Sequence, residues 1–306
     1  MRQYDFLGKT KFFVPLSVAL VLISALLLVP QIRGWELGID FTGGTEFTVQ
    51  FSEPVDTAEI RDSLSELSSG GVDLSQSGIQ SYGSADRVII TTPLDIRDNQ
   101  VLVERVEQML RDDYPVQEPA SSNISRTAIS QQVSRQLTEK GWQAILLALL
   151  IVLVYVSWRF RLRYAVGAVV AIVHDVVIAL GIFALFKVEI NLPTIAAFLT
   201  ILGYSLNDTI VIYDRIRENL KLNPRGNIAE IINHSINQSL SRTINTSLTT
   251  FIPIIILFVF GGSVLRGFSL ALLIGVIVGT YSSMYIACPI LGAWAKRAGT
   301  NTKKRK

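Results

Sequence analysis

The chain has 306 residues, 49% of them hydrophobic and 17% charged, with mean hydropathy +0.41 and a formal net charge of +3. That balance excludes an ordinary soluble domain, because several apolar runs approach about 18 residues, the length that crosses a ~30 Å hydrocarbon core. Charge is unevenly spread: residues 31–140 hold 9 Lys+Arg against 18 Asp+Glu, and the remainder is strongly basic, a pattern of membrane topology rather than of nucleic-acid binding.

Residues 1–11 form a short start with Lys9 and Lys11. Residues 12–30, FFVPLSVALVLISALLLVP, follow as the first predicted span. As a helix this run is about 28 Å long. A basic start resembles a signal peptide, but no small-x-small cleavage site follows, so a retained transmembrane helix is expected.

Residues 31–140 read as a separate α+β domain. TEFTVQF (45–51) alternates like a half-buried strand. VDTAEIRDSLSELSSGG (55–71) reads as a helix with Asp56 at its N-cap, Glu59 at the capping-box position and glycines beyond its end. SGIQSYGS and RVIITTP read as two strands around a Ser-Ala-Asp turn, and residues 96–115 as a second amphipathic helix stopped by Pro115. An extended piece near 116–128 completes a β-α-β-β-α-β order, the ferredoxin-like pattern.

Five more apolar runs occupy residues 141–292, at about 142–158, 164–186, 193–213, 245–262 and 268–291, before a basic tail at 293–306. Arg159, Arg161 and Arg163 crowd one connection and Arg215, Arg217, Lys221 and Arg225 another, whereas the alternate connections hold only Lys187 and Arg266. The positive-inside rule then places both termini and the Arg-rich loops in the cytoplasm and residues 31–140 outside. The predicted class is an α-helical polytopic membrane protein with six transmembrane helices and a ferredoxin-like extracytoplasmic domain between helices 1 and 2.

The fourth span contains an acid, Asp208, and a central intramembrane Asp costs ~2.5–3.5 kcal/mol on insertion scales. One reading is a proton-binding site whose charge changes with access; the other is a hydrogen-bonded acid that glues helices. At 100° per residue Tyr204, Asn207 and Asp208 share a side, with Thr200 above them. Asp214 belongs at the interface with Arg215 and Arg217. The third span carries His174 beside Asp175, either a proton relay or a histidine bonded to a neighbouring helix. Because neighbours on a helix point about 100° apart, the two need not bond each other. In the fifth span Arg242, Thr246, Thr249 and Pro253 follow one helix face, which can line a hydrated path toward Asp208; alternatively Arg242 snorkels to headgroups. Gly267, Ala271, Gly275, Gly279, Ser283 and Ala287 recur every four residues in the last span, a small-residue ridge for close helix packing.

No catalytic constellation is legible. Cys288 is the only cysteine, which rules out an internal disulfide and a Cys-rich metal site. The glycine pairs at 43–44 and 261–262 lack the Walker pattern. His174 and His234 are the only histidines and lack zinc-ligand spacing. No cofactor is expected. Work would draw on a proton crossing the membrane potential, which releases ~2.3 kcal/mol per 100 mV.

Five stretches carry a family resemblance: GIDFTGGT (38–45), HDV (174–176), LGYSLNDTIVIYDRIREN (202–219), SLSRTINTSLTT (239–250) and FSLALLIGVIVGTYSS (268–283). In this order, and on these predicted spans, the chain resembles the SecF branch of the SecD/SecF family of the bacterial Sec protein-export machinery. The resemblance implies kinship with proton-driven transporters of the resistance-nodulation-division type. It implies pairing with SecD into a twelve-span unit, association with the SecYEG channel and with YajC, and use of the proton-motive force to help draw an unfolded polypeptide across the inner membrane. It places the family's proton-pathway residues on Asp208 and Arg242, with a further acid supplied by SecD. Asp40 and the glycines of GIDFTGGT read physically as a turn into a strand. Two rival readings remain at this point: half of a small-molecule exporter, and a passive scaffold of the channel.

Overall fold

The computed structural model describes residues 4–67, 73–75, 77–82, 84–95, 99–117, 123–160 and 162–303. Gly70 and Gly71 beyond the first amphipathic helix, Arg161 in the Arg-rich connection, residues 118–122 of the extended piece and the last residues of the tail lie outside them.

Two compact units emerge. One comprises residues 37–143 together with 189–192, and the other holds the remaining chain. In the first, α2 (Ile39–Thr42) leads into β1 (Gly44–Gln50), α3 (Thr57–Glu66), β2 (Gly78–Tyr82), β3 (Ser84–Thr92), α4 (Gln100–Asp112) and β4 (Ile124–Ile129). Before all of these comes α1 (Thr10–Leu27), which belongs to the other unit. The sheet order is β2-β3-β1-β4, every pairing antiparallel. Ser84, Ala85 and Asp86, expected in a turn, belong instead to β3, which runs longer than its apolar core because ladder bonds continue through polar residues.

The alternation seen in the sequence sets the core of this unit. Phe47 and Val49 of β1 and Val88 and Ile90 of β3 share one sheet face and are fully buried. Ile60 and Leu64 of α3 and Val103, Val106 and Leu110 of α4 cover that face from the helix side, at the spacing of one helical stripe. Asp56 caps α3 as expected, its carboxylate accepting the Ala58 backbone N–H at 2.8 Å.

The second unit is helical: α1, α5 (Gln131–Arg159) from residue 144 on, α6 (Leu162–Phe186), α7 (Leu192–Leu222) from residue 193 on, α8 (Ile228–Phe260) and α9 (Gly262–Ser282), followed by a π turn (Ser283–Ala287) and α10 (Cys288–Lys303). Among the described residues, six helical stretches are long and apolar enough to cross a membrane. The helices overrun the apolar windows: α5 starts at Gln131 rather than near 142, and α8 at Ile228 rather than near 245. Hydropathy marks only the lipid-compatible part of a helix, whereas the backbone ladder continues as long as side chains permit. In α8 the polar extension buries Ile231, Ile232, Ser235, Ile236 and Ser239, and its start is capped by Asn227, whose side chain accepts the Ala229 N–H at 3.0 Å.

The sixth span is interrupted. Its helix widens into the π turn, and the Ala287 carbonyl there accepts the Tyr213 hydroxyl of α7 at 3.1 Å. A side-chain donor from another helix thus bonds a backbone acceptor in the irregular turn, in apolar surroundings where an unpaired carbonyl is costly.

Candidate functional site

Two buried carboxylates organise the helical unit. Asp208 of α7 is only 2% exposed. Its Oδ1 accepts from Thr246 Oγ1 at 3.4 Å and its Oδ2 from Ser247 Oγ at 3.5 Å, both donors on α8 and both bonds long. Ser247 Oγ also meets Thr280 Oγ1 of α9 at 2.6 Å. Arg242 lies near enough to act on Asp208 through its charge. Its own surface is exposed, and the two form no ion pair among the described residues. Asp208 is thus held loosely, by hydroxyls and by the field of a cation rather than by a direct bond to it.

Asp175 of α6 is held tightly and is wholly buried. Its Oδ2 accepts Ser205 Oγ of α7 at 2.6 Å and Ser282 Oγ of α9 at 2.8 Å, while its Oδ1 lies 2.9 Å from His174 Nδ1. The adjacent histidine therefore does bond its neighbour, although successive side chains leave a helix in different directions. The His174 ring stacks on Tyr281 at 6.2 Å. His174 Nε2 is buried without a hydrogen-bond partner among the described residues. Tyr281 in turn bonds Ser17 Oγ at 2.7 Å and donates to the Phe13 carbonyl at 2.8 Å, both on α1.

Four predicted polar residues divide. Thr246 joins Asp208, but Thr249 turns back to the Asn245 and Thr246 carbonyls of its own helix. Asn207 is exposed although Asp208 beside it is buried. Tyr204, expected on the polar side with Asp208, packs in an apolar cluster with Ile254 and Val276, and its hydroxyl has no partner among the described residues. A 100° step between adjacent residues is enough to move one side chain into the bundle and the next out of it. Asp214 pairs with Arg159 of α5 at 3.5 Å rather than with its neighbouring arginines.

The small-residue ridge serves α7. A Cβ on Gly275 would collide with Ile201, and one on Gly279 would come within 3.1 Å of Ser205 Cβ. Ala271 and Ser283 on the same ridge are fully buried; Gly267 at its start is half-buried. The same helix α9 carries Ser282, which bonds Asp175, and Thr280, which bonds Ser247, the partner of Asp208. Ser205 and Ser247 carry no individual sequence signal, and Thr280 and Ser282 stand out in the sequence only as hydroxyls of TYSSMY (280–285), with no role assigned to them. The only signal that could have found them is their hydroxyl character at helical spacing from the acids.

Among the described residues no group of three or more His, Cys, Asp or Glu is arranged to hold a metal ion. The arrangement suits proton binding: carboxylates away from solvent, ringed by hydroxyl donors that can bond either protonation state.

Comparison with known proteins gives the family. The model described as protein export membrane protein SecD/SecF, C-terminal, matches residues 107–297, and that of the SecD/SecF GG motif matches residues 36–55. The chain is 39% identical to the protein translocase subunit SecF of Petrotoga mobilis, over 97% of this chain and 98% of that one. It is 43% identical to that of Desulfurispirillum indicum, over 92% and 89%. The crystal structure of SecDF, a translocon-associated membrane protein from Thermus thermophilus, superposes with a TM-score of 0.85 at 34% identity, covering 96% of this chain. This chain spans only 39% of that SecDF chain. In sequence and in fold, the chain belongs to the SecD/SecF family of protein export membrane proteins.

Proposed function

We propose that this chain is one six-span half of a proton-coupled motor that assists the export of unfolded polypeptides. Paired with SecD and working at the SecYEG channel together with YajC, it draws on the proton-motive force of the bacterial cytoplasmic membrane. In this reading both termini are cytoplasmic, and the sheet unit is an extracytoplasmic ferredoxin-like domain. Asp208 is the proton carrier. Arg242 biases it electrostatically, with Thr246 and Ser247 as hydroxyl partners, and the His174–Asp175 pair is a second protonatable centre.

The observation that carries the reading is the way Asp208 is held. Asp208 is buried with two long hydroxyl bonds and a cation out of ion-pair reach, so no short bond or ion pair commits it to one protonation state. Such a group can gain and lose a proton without unravelling the helices around it. A second observation supports incompleteness. Thr200, Gly203 and Asn207 of α7 and Arg242, Asn245 and Thr249 of α8 are exposed at i, i+3, i+7 spacing within helices of membrane-crossing length. Lipid is a poor neighbour for Asn and Arg, and a protein half covering them removes that cost.

The test is Asp208→Asn, which keeps shape and removes titration. In inverted vesicles carrying the channel and the SecD half, the variant inserts normally and loses the gradient-dependent part of export. Export that remains sensitive to a proton gradient overturns Asp208 as carrier. Loss of small-molecule efflux in its place favours the exporter reading, and no effect on either favours a scaffold.

A further inference from the structure

The motif GIDFTGGT (38–45) contributes nothing to either acid cluster, yet its contacts are specific. The Gly38 N–H donates to the Ile190 carbonyl at 2.9 Å, and Leu37 and Ile190 form an isolated parallel bridge. A Cβ on Gly38 would lie 3.3 Å from Asn191 Cβ, closer than most side chains tolerate. Gly43 has φ +72° and sits 3.1 Å, measured to an added Cβ, from Gln131 Cα, where α5 begins. Gly44 has φ +128°, and an added Cβ would strike the Thr92 carbonyl of β3. The motif thus fastens the start of β1 to the sheet, to the start of α5 and to the connection between α6 and α7.

Asp40 completes this fastening. Its Oδ2 accepts the backbone N–H of Leu192 at 2.7 Å, and Leu192 is the first residue of α7. The first N–H groups of a helix have no partner within it, and a carboxylate there satisfies a donor and complements the helix dipole. Residues 189–192 belong to the same compact unit as the sheet, whereas the rest of α7 belongs to the helical unit. One helix therefore begins in the sheet unit under the Asp40 carboxylate and carries Asp208 sixteen residues later, about 24 Å along its axis.

We infer that Asp40 is a positioning residue that couples α7 to the sheet unit, so that a change of charge at Asp208 reaches that unit along a continuous helix rather than through a loose loop. The inference rests on Asp208 being the proton carrier. It gives the GIDFTGGT motif a mechanical role: the glycines admit the close approach, and the carboxylate makes the bond that transmits.

The test is hydrogen–deuterium exchange on the full chain assembled with its SecD half in nanodiscs, comparing each background with and without Asp208→Asn. In the unaltered background, Asp208→Asn changes exchange both in α7–α8 peptides and in β1 and β4 peptides, by about fivefold or more, the lower range of measured coupling between sites. Asp40→Ala removes the acceptor. Leu192→Pro removes the donor while keeping the helix start, since proline is accepted in the first turn. In both, the β1 and β4 response disappears and the α7–α8 response persists. Asp40→Asn, which still offers an acceptor oxygen, retains the response, and so does Asp56→Ala, which loosens α3 without touching α7. An undiminished β1 and β4 response in both Asp40→Ala and Leu192→Pro overturns the coupling. If Asp208→Asn abolishes gradient-driven export yet leaves β1 and β4 unchanged in the unaltered background, the coupling alone is wrong. If Asp208→Asn leaves that export intact, the carrier reading itself has failed.

Discussion

Ser282 donates its hydroxyl to Asp175 at 2.8 Å from the last residue of α9, where the helix gives way to a π turn. The widened turn and the buried acid meet at one residue, and Ser205 brings α7 to the same carboxylate oxygen. Three helices are therefore tied at Asp175. Ser282→Ala removes one of three donors and is expected to destabilise the chain by ~1 kcal/mol, read as a lowered midpoint of thermal unfolding in detergent. Asp175→Ala strands all the donors at once and costs more than Ser282→Ala. Should the two be indistinguishable, the knot is not a structural one.

Arg242 acts on Asp208 without touching it. A Lys in its place keeps the charge and loses only the planar fork, which matters where pairing is bidentate. Arg242→Lys is therefore expected to retain gradient-dependent export and Arg242→Gln to lose it. Equal loss in both would mean that a direct guanidinium–carboxylate pair forms during the cycle.

Gly275 and Gly203 make a matched pair. Gly275 has Ile201 against it, whereas a Cβ on Gly203 meets nothing within 4 Å. Gly275→Val is expected to cost ~1–3 kcal/mol through overpacking. Gly203→Ala leaves the isolated chain unharmed, since Ala is the better helix former by ~1 kcal/mol. Gly203→Leu, on the exposed stripe with Thr200 and Asn207, is expected to spare the fold of the chain and weaken its co-purification with SecD. Undisturbed co-purification would place the partner elsewhere.

Glu46 lies half-buried on β1, and burial, reinforced by the Asp40 charge, raises its carboxyl above the ordinary value of 4.5. An acid raised on folding binds its proton more readily in the folded chain than in the unfolded one, so stability falls as pH rises from the unfolded value through the folded one. Glu46→Gln removes that slope. The variant is expected to unfold at a higher temperature than the unaltered chain at pH 7 and at the same temperature near pH 4. Parallel pH profiles for the two would remove Glu46 as the cause.

The sequence by itself determined the six apolar runs of membrane-crossing length, the strands and helices that alternate along the segment between the first two of them, the cap at Asp56 and the acids within apolar runs. These are read from local signals: hydropathy over a window, alternation along a strand, the side chain before a helix. It also singled out Asp208, Arg242, Asp175 and His174, because ionisable groups are rare in apolar runs. Only the tertiary structure decided what each acid touches. Ser205, Ser247 and Ser282 reach the carboxylates from other helices, from 30 to 107 residues away in sequence, Thr280 reaches Ser247, and nothing local distinguishes them from the hydroxyls that merely bond their own helix, as Thr249 does. The burial of Asp208 beside an exposed Asn207, the bond from Asp40 to the start of α7 and the π turn at Ser283 all depend on which helix packs where. Local periodicity encodes which face of a helix is apolar, but the choice of neighbour is made by close packing among many such faces, and that is a property of the folded bundle.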